Sequence, residues 1–420
     1  MNDKADICVI GAGRIGLPWA AVLADSGHMV TCVDVDKDVV DTICRGDAPF
    51  DEPGLDDLVG ETVAEGQLTA TTKRSSVENA NVVGVTLNAP ADQIDSYIDI
   101  LTGYCEFVSP SQTVINRTTL PVSVIDRVRA EVAEAVGTSP TNLDYVTFPE
   151  RLAEGRAIEE LKSLPKIVGT NDGEQHAPIE VLLNDLAGNP RYVDHKTAMF
   201  IKLIDNAYRD ARFAIANQFA LAADRLGVDA HRAIAVANDD YPRNDIPTPG
   251  TVGGKCLTKD PYFLTEEWVD DLPADLFLEA RAANDAYTNL VVNRVLELDP
   301  SSIAVLGRGF KRDLPDEIAS PTVDIISKLK QTDINVKSIE PVSLAFRDRD
   351  ATLKSTISAC DVVLLAVDHT YFRERETMIR ELADGPIVDV WGAFEPGNDV
   401  KRVGTGSFSQ TKPTLTGDNE

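Results

Sequence analysis

The segment DICVIGAGRIGLPWAAVLADSGHMVTCVD, residues 6–34, decides the fold of the first part of the chain. An apolar run, DICVI, leads directly into GAGRIG, an apolar helical stretch follows, and a second apolar run ends at Asp34. This order predicts a strand, a glycine turn, a helix and a parallel strand, which together form a dinucleotide-binding unit. The glycine pattern alone is a weak signal. Its position between a strand and a helix, with an acid about 20 residues further on, makes the prediction specific.

The glycine turn and the acid have separate predicted roles. In such a unit the glycines shape a tight turn that lets the backbone and the helix N-terminus approach a pyrophosphate. Asp34 would hold the adenosine ribose diol and repel a 2′-phosphate, so the predicted cofactor is NAD and not NADP. The other predicted cofactor-binding residues of the turn are Gly11, Gly13, Arg14, Ile15 and Gly16.

The alternation of strands and helices continues along the chain. The runs NVVGVTL, QTVIN, LDYVTF and KIVG read as buried parallel strands, residues 196–226 as one long helix, and SSIAVLGRGFKRD as the start of a second βαβ array. The predicted class is α/β, with two Rossmann-like doubly wound domains joined by a long-helix central domain. The predicted boundaries are 1–195 for the NAD-binding domain, 196–298 for the central domain with a cysteine loop, 299–402 for the C-terminal Rossmann-like domain and 403–420 for a disordered tail.

Composition excludes several classes of protein. The formal net charge of -28 disfavours nucleic acid, whose phosphates are neutralised by basic side chains. The hydrophobic fraction of 43% is that of a folded protein. The six cysteines show no disulfide or metal-ligand spacing, and no signal or membrane-spanning run is visible. The sequence therefore predicts a cytoplasmic enzyme without a bound metal, and its acidic surface suits a salt-rich cytoplasm.

A second informative stretch is GTVGGKCLTKDPYF, residues 250–263. Asp260 and Pro261 read as the N-cap and first residue of a helix, which would leave Cys256 in a turn just ahead of it. A helix N-terminus and the flanking Lys255 and Lys259 favour the thiolate, which is the nucleophilic form. The alternative is that Cys256 is a small buried hydrophobe, as most cysteines are.

Further polar groups fall where such folds place ligands. Thr119 follows the run QTVIN, and Glu150 and Glu154 follow LDYVTF, at the predicted carboxyl edge of the sheet. Lys202 and Asn206 share one face of the predicted long helix and resemble oxyanion donors. The alternative reading is that these threonine and glutamate residues cap or solvate the first turns of helices.

Several motifs in this order resemble those of one enzyme family: GAGRIGLP, TTLP, PERLAEG, KLIDNAYRD, GGKCLTKDPYF and GFKRD. The chain is similar to the UDP-sugar 6-dehydrogenases, the family of UDP-glucose, GDP-mannose and UDP-N-acetylmannosamine dehydrogenases. The resemblance implies that Cys256 is the nucleophile, that Lys202 and Asn206 stabilise oxyanions, and that Asp260 supports proton transfer. It also implies that Glu150 and Thr119 position water and that Thr119 and Glu154 lie near the nicotinamide. The implied substrate-binding residues are Glu150, Arg151, Lys202, Asn206, Arg243, Gly253, Lys259 and Lys311.

The resemblance further implies a four-electron oxidation of a UDP-sugar by NAD through a cysteine thiohemiacetal and thioester, in a homodimer or higher oligomer. UDP-N-acetyl-D-mannosamine is the favoured substrate, and UDP-glucose is the alternative. Arg243 would contact the substrate from its own subunit or from a partner subunit. A hydroxyacid dehydrogenase of the 6-phosphogluconate type and a non-enzymatic NAD-binding regulator are more distant alternatives. The chain departs from the family pattern at Arg14, Asn88, Ala89, Met199, Ile318 and Ala319.

Overall fold

The computed structural model describes residues 4–175, 177–186, 188–265, 276–343, 348–406 and 408. The chain divides into two compact units, Met1–Asp205 and Asn206–Glu420. Each unit contains one sheet flanked by helices, and a long helix begins in the first unit and continues into the second. The predicted α/β class, with two Rossmann-like domains and a long central helix, is confirmed.

The first unit is built on an eight-stranded sheet in the order β3-β2-β1-β4-β5-β6-β7-β8. The strands are β1 Asp6–Ile10, β2 Met29–Val33, β3 Leu68–Thr71, β4 Val82–Val85, β5 Thr113–Asn116, β6 Tyr145–Thr147, β7 Ile167–Thr170 and β8 Arg191–Asp194. The strand order reverses between β1 and β4, and ligands of such sheets bind at the carboxyl ends of the strands beside that point.

Helices cover both faces of this sheet. They are α1 Gly16–Asp25, α2 Lys37–Cys44, α3 Leu55–Ala64, α4 Ile94–Cys105, α5 Ile125–Val136, α6 Ala157–Leu161 and α7 Ala177–Asp185. Two apolar clusters form, one around Trp19 and α1 and the other around Tyr97 and Tyr104 of α4. The strands β4 and β5 are buried along their whole length, which explains their continuous apolar sequence.

One predicted strand runs in the opposite direction. The segment KIVG forms β7, which pairs parallel with β8 but antiparallel with β6 through Thr147 and Gly169, so the prediction of a parallel strand is wrong for the pairing with β6. An apolar run of four residues has the same composition in either direction. Only the path of the intervening chain, which includes the short helix α6, sets the direction here.

The second unit contains the rest of the long helix and a five-stranded parallel sheet in the order β10-β9-β11-β12-β13. Its strands are β9 Ser302–Leu306, β10 Asn335–Ile339, β11 Val362–Leu365, β12 Ile387–Asp389 and β13 Val400–Arg402. Its helices are α8 His195–Leu226, shared with the first unit, α9 Ala230–Asn238, α10 Lys255–Thr265, α11 Leu276–Leu296, α12 Pro321–Lys330, α13 Arg349–Ile357, α14 Thr370–Arg373 and α15 Glu376–Leu382. None of the helices within the described residues is long and apolar enough to cross a membrane.

The predicted disordered tail is wrong at its start. Val403 is fully buried in the apolar cluster of the second sheet, and its carbonyl oxygen hydrogen-bonds His231 at 3.0 Å. The polar composition after Arg402 hid this anchor because one buried valine gives no periodic signal. The rest of the predicted tail, 407 and 409–420, lies outside the described residues.

A buried histidine at the start of α8 makes the first unit sensitive to acid. The ring of His195 is 4% exposed, with Nδ1 3.1 Å from Thr147 Oγ1 and Nε2 3.2 Å from Asn171 Oδ1. The neutral ring satisfies both contacts, since Thr147 can donate to Nδ1 while Nε2–H donates to Asn171. Burial is the main reason that the pKa of His195 falls to about 4.

The folded state therefore resists protonation of His195 below pH 6.5, whereas the unfolded chain takes up the proton. The free energy of unfolding is therefore highest above the unfolded pKa and falls as the pH drops toward 4. The fall is about 3 kcal/mol, because each unit of difference between the folded and unfolded pKa corresponds to 1.36 kcal/mol. We expect His195→Gln to flatten the fall in the free energy of unfolding between pH 6.5 and 4 by about this amount. Denaturant titrations of both proteins across this range measure the difference. Parallel curves would contradict the prediction.

Candidate functional site

The glycine turn between β1 and α1 has the geometry of a phosphate-binding loop. Gly11 has φ +92°, a left-handed conformation that favours glycine, and a Cβ on Gly16 would overlap the Gly11 carbonyl oxygen. No atom lies within 4 Å of the Cβ position of Gly13, so the backbone there is open to a ligand. No side chain caps the N-terminus of α1. The positive end of its helix dipole therefore suits a pyrophosphate.

Asp34 completes a site that fits NAD. Its Oδ2 accepts a hydrogen bond from Ala12 N at 2.7 Å, and its Oδ1 accepts one from Asp36 N at 3.0 Å. These bonds fix the carboxylate at the end of β2, and each oxygen keeps acceptor capacity for a ribose hydroxyl. A fixed negative charge at this point also repels a 2′-phosphate. The residues present therefore fit NAD.

The other two predicted loop residues take different places. Ile15 is the N-cap of α1, and its backbone belongs to the phosphate-facing turn. The Arg14 guanidinium lies over the ring of Phe50 at 5.2 Å from its centroid. Phe50 lies in the turn-rich segment between α2 and α3. The Arg14 side chain thus packs on this segment, at the rim of the glycine turn.

A buried ion pair lies at the carboxyl ends of β5 and β6. Arg117 follows β5, and its guanidinium pairs with Glu150 and sits between Trp19 and Phe148 at 4.5 Å from each ring centroid. Glu150 was predicted at this edge, but Arg117 was not. Arg117 lies directly before the motif TTLP and is not part of it. The apolar run that precedes Arg117 gave no sign that a buried cation would follow.

The ion pair fixes the conformation of the Glu150 side chain. Glu150 Oε1 accepts hydrogen bonds from Arg151 N at 2.6 Å and Leu152 N at 2.8 Å, while Arg117 meets the other oxygen. Burial lowers the pKa of Arg117 to about 9, so the guanidinium still carries its charge at neutral pH. Glu150 is therefore a rigidly held, ion-paired carboxylate rather than a solvated first-turn residue.

The remaining predicted residues of the first unit lie on the same edge or on α8. Thr119 and Glu154 are half-buried, and Arg151 Nε donates to Asp205 Oδ2 at 2.6 Å. This bond ties Arg151 to α8 and leaves its role in binding substrate a prediction. Lys202 is buried on α8, one turn before Asn206, as the spacing predicted.

The cysteine stretch differs from its prediction in one respect. Helix α10 begins at Lys255, so Cys256 lies in its first turn and Pro261 lies inside the helix. The predicted helix start at Asp260 is wrong because Gly254, with φ +87°, already ends the loop. A helix can include a proline when it gives up one backbone hydrogen bond.

This correction brings the predicted catalytic residues of the second unit together. Cys256 is exposed and lies one turn before Asp260, so both occupy one face of α10. Asp260 is 1% exposed, and its Oδ2 accepts a hydrogen bond from Asn206 Nδ2 at 2.6 Å. The partial positive charge at the N-terminus of α10 favours a thiolate.

The lysines that flank Cys256 are separated by the helix. Lys255 is exposed at the first position of α10. Lys259 Nζ lies 4.6 Å from the ring centroid of Phe263, one turn further along. The contact of Lys259 within its own helix accounts for its position, and a role in reading the substrate stays a prediction.

A cavity of ≈ 780 Å³ lies in the second unit beside the cysteine loop. Gly253 and Lys311, both predicted to contact substrate, line it, whereas Arg243 is not among its lining residues and stacks on Tyr241 at 4.8 Å. The cavity is strongly basic: among the described residues Asp368 is its single lining acid, and it pairs with Arg312 and Arg373. The lining cations are Arg209, Arg232, Lys311, Arg312, Arg373 and Arg402.

This cluster of cations was largely missed from the sequence. GFKRD led to the prediction of Lys311 alone, although Arg312 follows it in the same motif, and the remaining cations come from α8, α9, α14 and β13 and share no motif. Their convergence against an overall charge of -28 points to a polyanionic ligand. A diphosphate is such a ligand.

The glycine loop of the second sheet differs from that of the first. The carboxylate of Glu340, at the end of β10, accepts hydrogen bonds from Arg308 N at 2.7 Å and Gly309 N at 2.9 Å, and from His369. Burial opposes ionisation, but these bonds hold the pKa of Glu340 below its ordinary value. The chain thus uses its own carboxylate where a second dinucleotide would need free N–H groups.

The segment around Ile318 and Ala319, where the chain departs from the family pattern, contacts the loop before Cys256. Gly254 N donates to the Ala319 carbonyl oxygen at 3.0 Å, and Ala319 has φ +53°. Ile318 is exposed, and Glu317 pairs with Arg308 at 2.6 Å. The backbone of this segment therefore supports the loop, although the usual arginine and glutamate are replaced.

Comparison with known proteins gives matches along nearly the whole chain. Three models of the UDP-glucose/GDP-mannose dehydrogenase family match: the NAD binding domain over 5–186, the central domain over 196–286 and the UDP binding domain over 304–396. The UDP-N-acetyl-D-mannosamine dehydrogenase of Methanococcus vannielii is 28% identical, over 96% of this chain and 97% of that protein. An NDP-N-acetyl-D-galactosaminuronic acid dehydrogenase of Ralstonia nicotianae is 31% identical, over 89% of this chain and 93% of its own length.

The solved structure of a UDP-N-acetyl-mannosamine dehydrogenase from Pyrococcus horikoshii gives a TM-score of 0.85 at 27% identity, with 96% of this chain and all of the other covered. The sequence matches and the fold therefore agree. With its intact NAD-binding turn, the chain belongs to the UDP-glucose/GDP-mannose dehydrogenase family and is an NAD-dependent oxidoreductase.

Proposed function

We propose that the protein oxidises the 6-hydroxymethyl group of a UDP-sugar to the uronic acid in two NAD-dependent steps, with UDP-N-acetyl-D-mannosamine as the favoured substrate. The observation that carries this proposal is the placement of Cys256 in the first turn of α10, one turn before the buried Asp260–Asn206 pair. An alcohol dehydrogenase that stops at the aldehyde needs no nucleophile. An exposed thiol with an acid and an amide beside it suits covalent capture of the aldehyde.

The proposed reaction proceeds through a covalent bond to Cys256. NAD, when bound, supplies the hydride acceptor for each of the two oxidations. After the first oxidation, the Cys256 thiolate adds to the aldehyde carbon and forms a C–S bond, and Asn206 and Lys202 stabilise the oxyanion of the thiohemiacetal. Loss of a second hydride from that carbon leaves a thioester.

Hydrolysis of the thioester releases the acid. Water adds to the thioester carbon, the C–S bond breaks, and its electron pair returns to the Cys256 sulfur. We assign the proton transfers at the sulfur to Asp260 and the positioning of water to Glu150 and Thr119. The fixed, ion-paired Glu150 carboxylate supports a hydrogen-bond acceptor role in this step.

The basic cavity supports a nucleoside diphosphate sugar as the substrate class. Its arginines and Lys311 provide more positive charge than Asp368 cancels, and arginine forks match phosphate oxygens. The names of the relatives favour UDP-N-acetyl-D-mannosamine. UDP-glucose is the alternative, since the run KCLTKD resembles the glucose branch.

A screen for NADH release tests the proposed function. The purified chain is mixed with NAD and UDP-N-acetylmannosamine, UDP-glucose, UDP-N-acetylglucosamine or GDP-mannose in molar KCl. We expect the first to react fastest, with two NADH formed for each uronic acid. One NADH per sugar, or no turnover of any of the four, would overturn the proposal.

We also propose that the protein forms a homodimer in which an exposed apolar stripe on α8 is buried. Its acidic composition further suggests that it works in a salt-rich cytoplasm. The stripe consists of Phe200, Ile204, Tyr208, Ile215, Phe219 and Leu226, which are 37–76% exposed. These residues recur at helical spacing, and an exposed stripe of this kind favours a second copy as its cover. Light scattering in molar KCl measures the mass. A monomer would contradict the dimer.

A further inference from the structure

We propose that Asn217, on α8, is a positioning residue for the loop that leads to Cys256. Its side-chain amide holds Gly250 by both backbone groups: Gly250 N donates to Asn217 Oδ1 at 2.9 Å, and Asn217 Nδ2 donates to Gly250 O at 2.9 Å. Asn217 is 1% exposed. The amide thus pairs with the loop as a neighbouring strand would. This inference rests on the proposed chemistry at Cys256.

The Asn217 side chain is itself fixed by a network of buried polar side chains. Its Nδ2 also donates to Asn284 Oδ1 at 2.8 Å, and Asn284 Nδ2 donates to Asp210 Oδ1 at 2.8 Å. Arg281 Nη1 donates to the same Asp210 oxygen at 2.6 Å. All four side chains are buried, and they join α8 to α11. The amide is therefore a fixed point of the helical core rather than a mobile side chain.

The loop held by this amide also packs closely on its surroundings. Gly250 packs so closely on the Trp391 indole that a Cβ would overlap the ring, and Trp391 lines the basic cavity. Thr251, Val252 and Gly253 line the cavity as well. The next anchor on the chain is the hydrogen bond from Gly254 N to Ala319 O. Helix α10 begins directly after it.

The two anchors bracket the segment that sets both the cavity wall and the start of α10. Between them the chain forms no helix or strand, so the Asn217 clamp fixes one end of this segment and the Gly254 hydrogen bond fixes the other. A buried backbone donor or acceptor without a partner is unfavourable, so the loop follows the amide. A shift at Gly250 therefore moves the wall and the nucleophile together.

The substitution Asn217→Asp tests this role because it keeps the shape and removes both donors. The new carboxylate oxygen would face the Gly250 and Asn284 oxygens, which are acceptors. We expect kcat to fall about 100-fold, the loss typical of a misplacement near 1 Å. We expect KM for the sugar nucleotide to rise and the dissociation constant for NADH to stay unchanged. The matched control is Asn289→Asp, which adds the same charge on the exposed face of α11, where Asn289 meets Lys328.

Thiol reactivity supplies a readout that a purely structural role would not move. Cys44 is also exposed and lies in the first unit, so the ratio of iodoacetamide labelling at Cys256 to that at Cys44 is internally referenced. We expect this ratio to fall in Asn217→Asp and to be unchanged in Asn289→Asp. Wild-type kinetics and labelling ratio in a folded Asn217→Asp would overturn the inference. A labelling change in a chain whose wild type turns over no sugar nucleotide would instead sink the proposed function alone.

Hydrogen exchange of the wild type keeps the inference testable if the variant does not fold. The Gly250 amide, buried and bonded to Asn217, is expected to exchange as slowly as the core of α8. Exchange of this amide at the rate of an open loop would overturn the inference.

Discussion

Replacing Cys256 with alanine is expected to lower the rate of uronic acid formation by roughly 10³-fold or more, since the nucleophile of a covalent mechanism has no substitute. Without the thiol, the aldehyde cannot be captured as a thiohemiacetal, and no thioester forms. NAD binding should be unchanged because the glycine turn and Asp34 belong to the first unit. Product analysis by mass spectrometry, together with an NADH titration, measures both effects.

Cys44→Ala is the matched control for this experiment. Cys44 is the other exposed thiol among the described residues, and its Sγ donates only a weak hydrogen bond to Ala70 O at 3.3 Å. We expect this variant to retain wild-type kinetics. Full four-electron turnover by Cys256→Ala would contradict the covalent scheme.

The largest expected loss of stability follows from Arg117→Met. This change leaves the buried Glu150 carboxylate without its partner, which typically destabilises a fold by about 3–5 kcal/mol. The guanidinium also lies between Trp19 and Phe148, and desolvated cation–π contacts add about 2 kcal/mol each. Denaturant unfolding, followed through tryptophan fluorescence, measures the change in free energy.

Two further variants separate charge from packing. Arg117→Met combined with Glu150→Gln removes both charges, and we expect it to recover most of the lost stability because neutral replacements of buried pairs are often tolerated. Arg127→Met breaks the surface pair with Asp95, which is 2.7 Å long and largely exposed, and should change stability by less than about 1 kcal/mol. An equal, small effect of Arg117→Met and Arg127→Met would contradict the prediction.

Local patterns were sufficient for the first βαβ unit. The apolar run before Gly11, the spacing to Gly16 and the acid at Asp34 each reflect contacts within a short stretch of chain, and the structure has all three in place. The long helix was equally readable because its period continues without a break over many turns. Helix α10 was misread because Asp260–Pro261 imitates a helix start, whereas Gly254 sets the real one.

The spacing of the proposed catalytic residues on helices was also predictable in part. Lys202 and Asn206 share a face of α8, and Cys256 shares a face of α10 with Asp260, because helical period fixes neighbours one turn apart. The hydrogen bond between Asn206 and Asp260 joins two helices, and no sequence period records it. Its presence follows from how α8 and α10 pack.

The sequence by itself determined the class of the fold and the cofactor-binding turn, and it marked Cys256 as the candidate nucleophile, since these depend on neighbours along the chain. Only the tertiary structure decided that Arg117 meets Glu150, that Asn217 holds Gly250, and that cations from four separate elements line one cavity. The physical reason is that a buried polar group needs a partner, but that partner can come from any part of the chain that packing brings near.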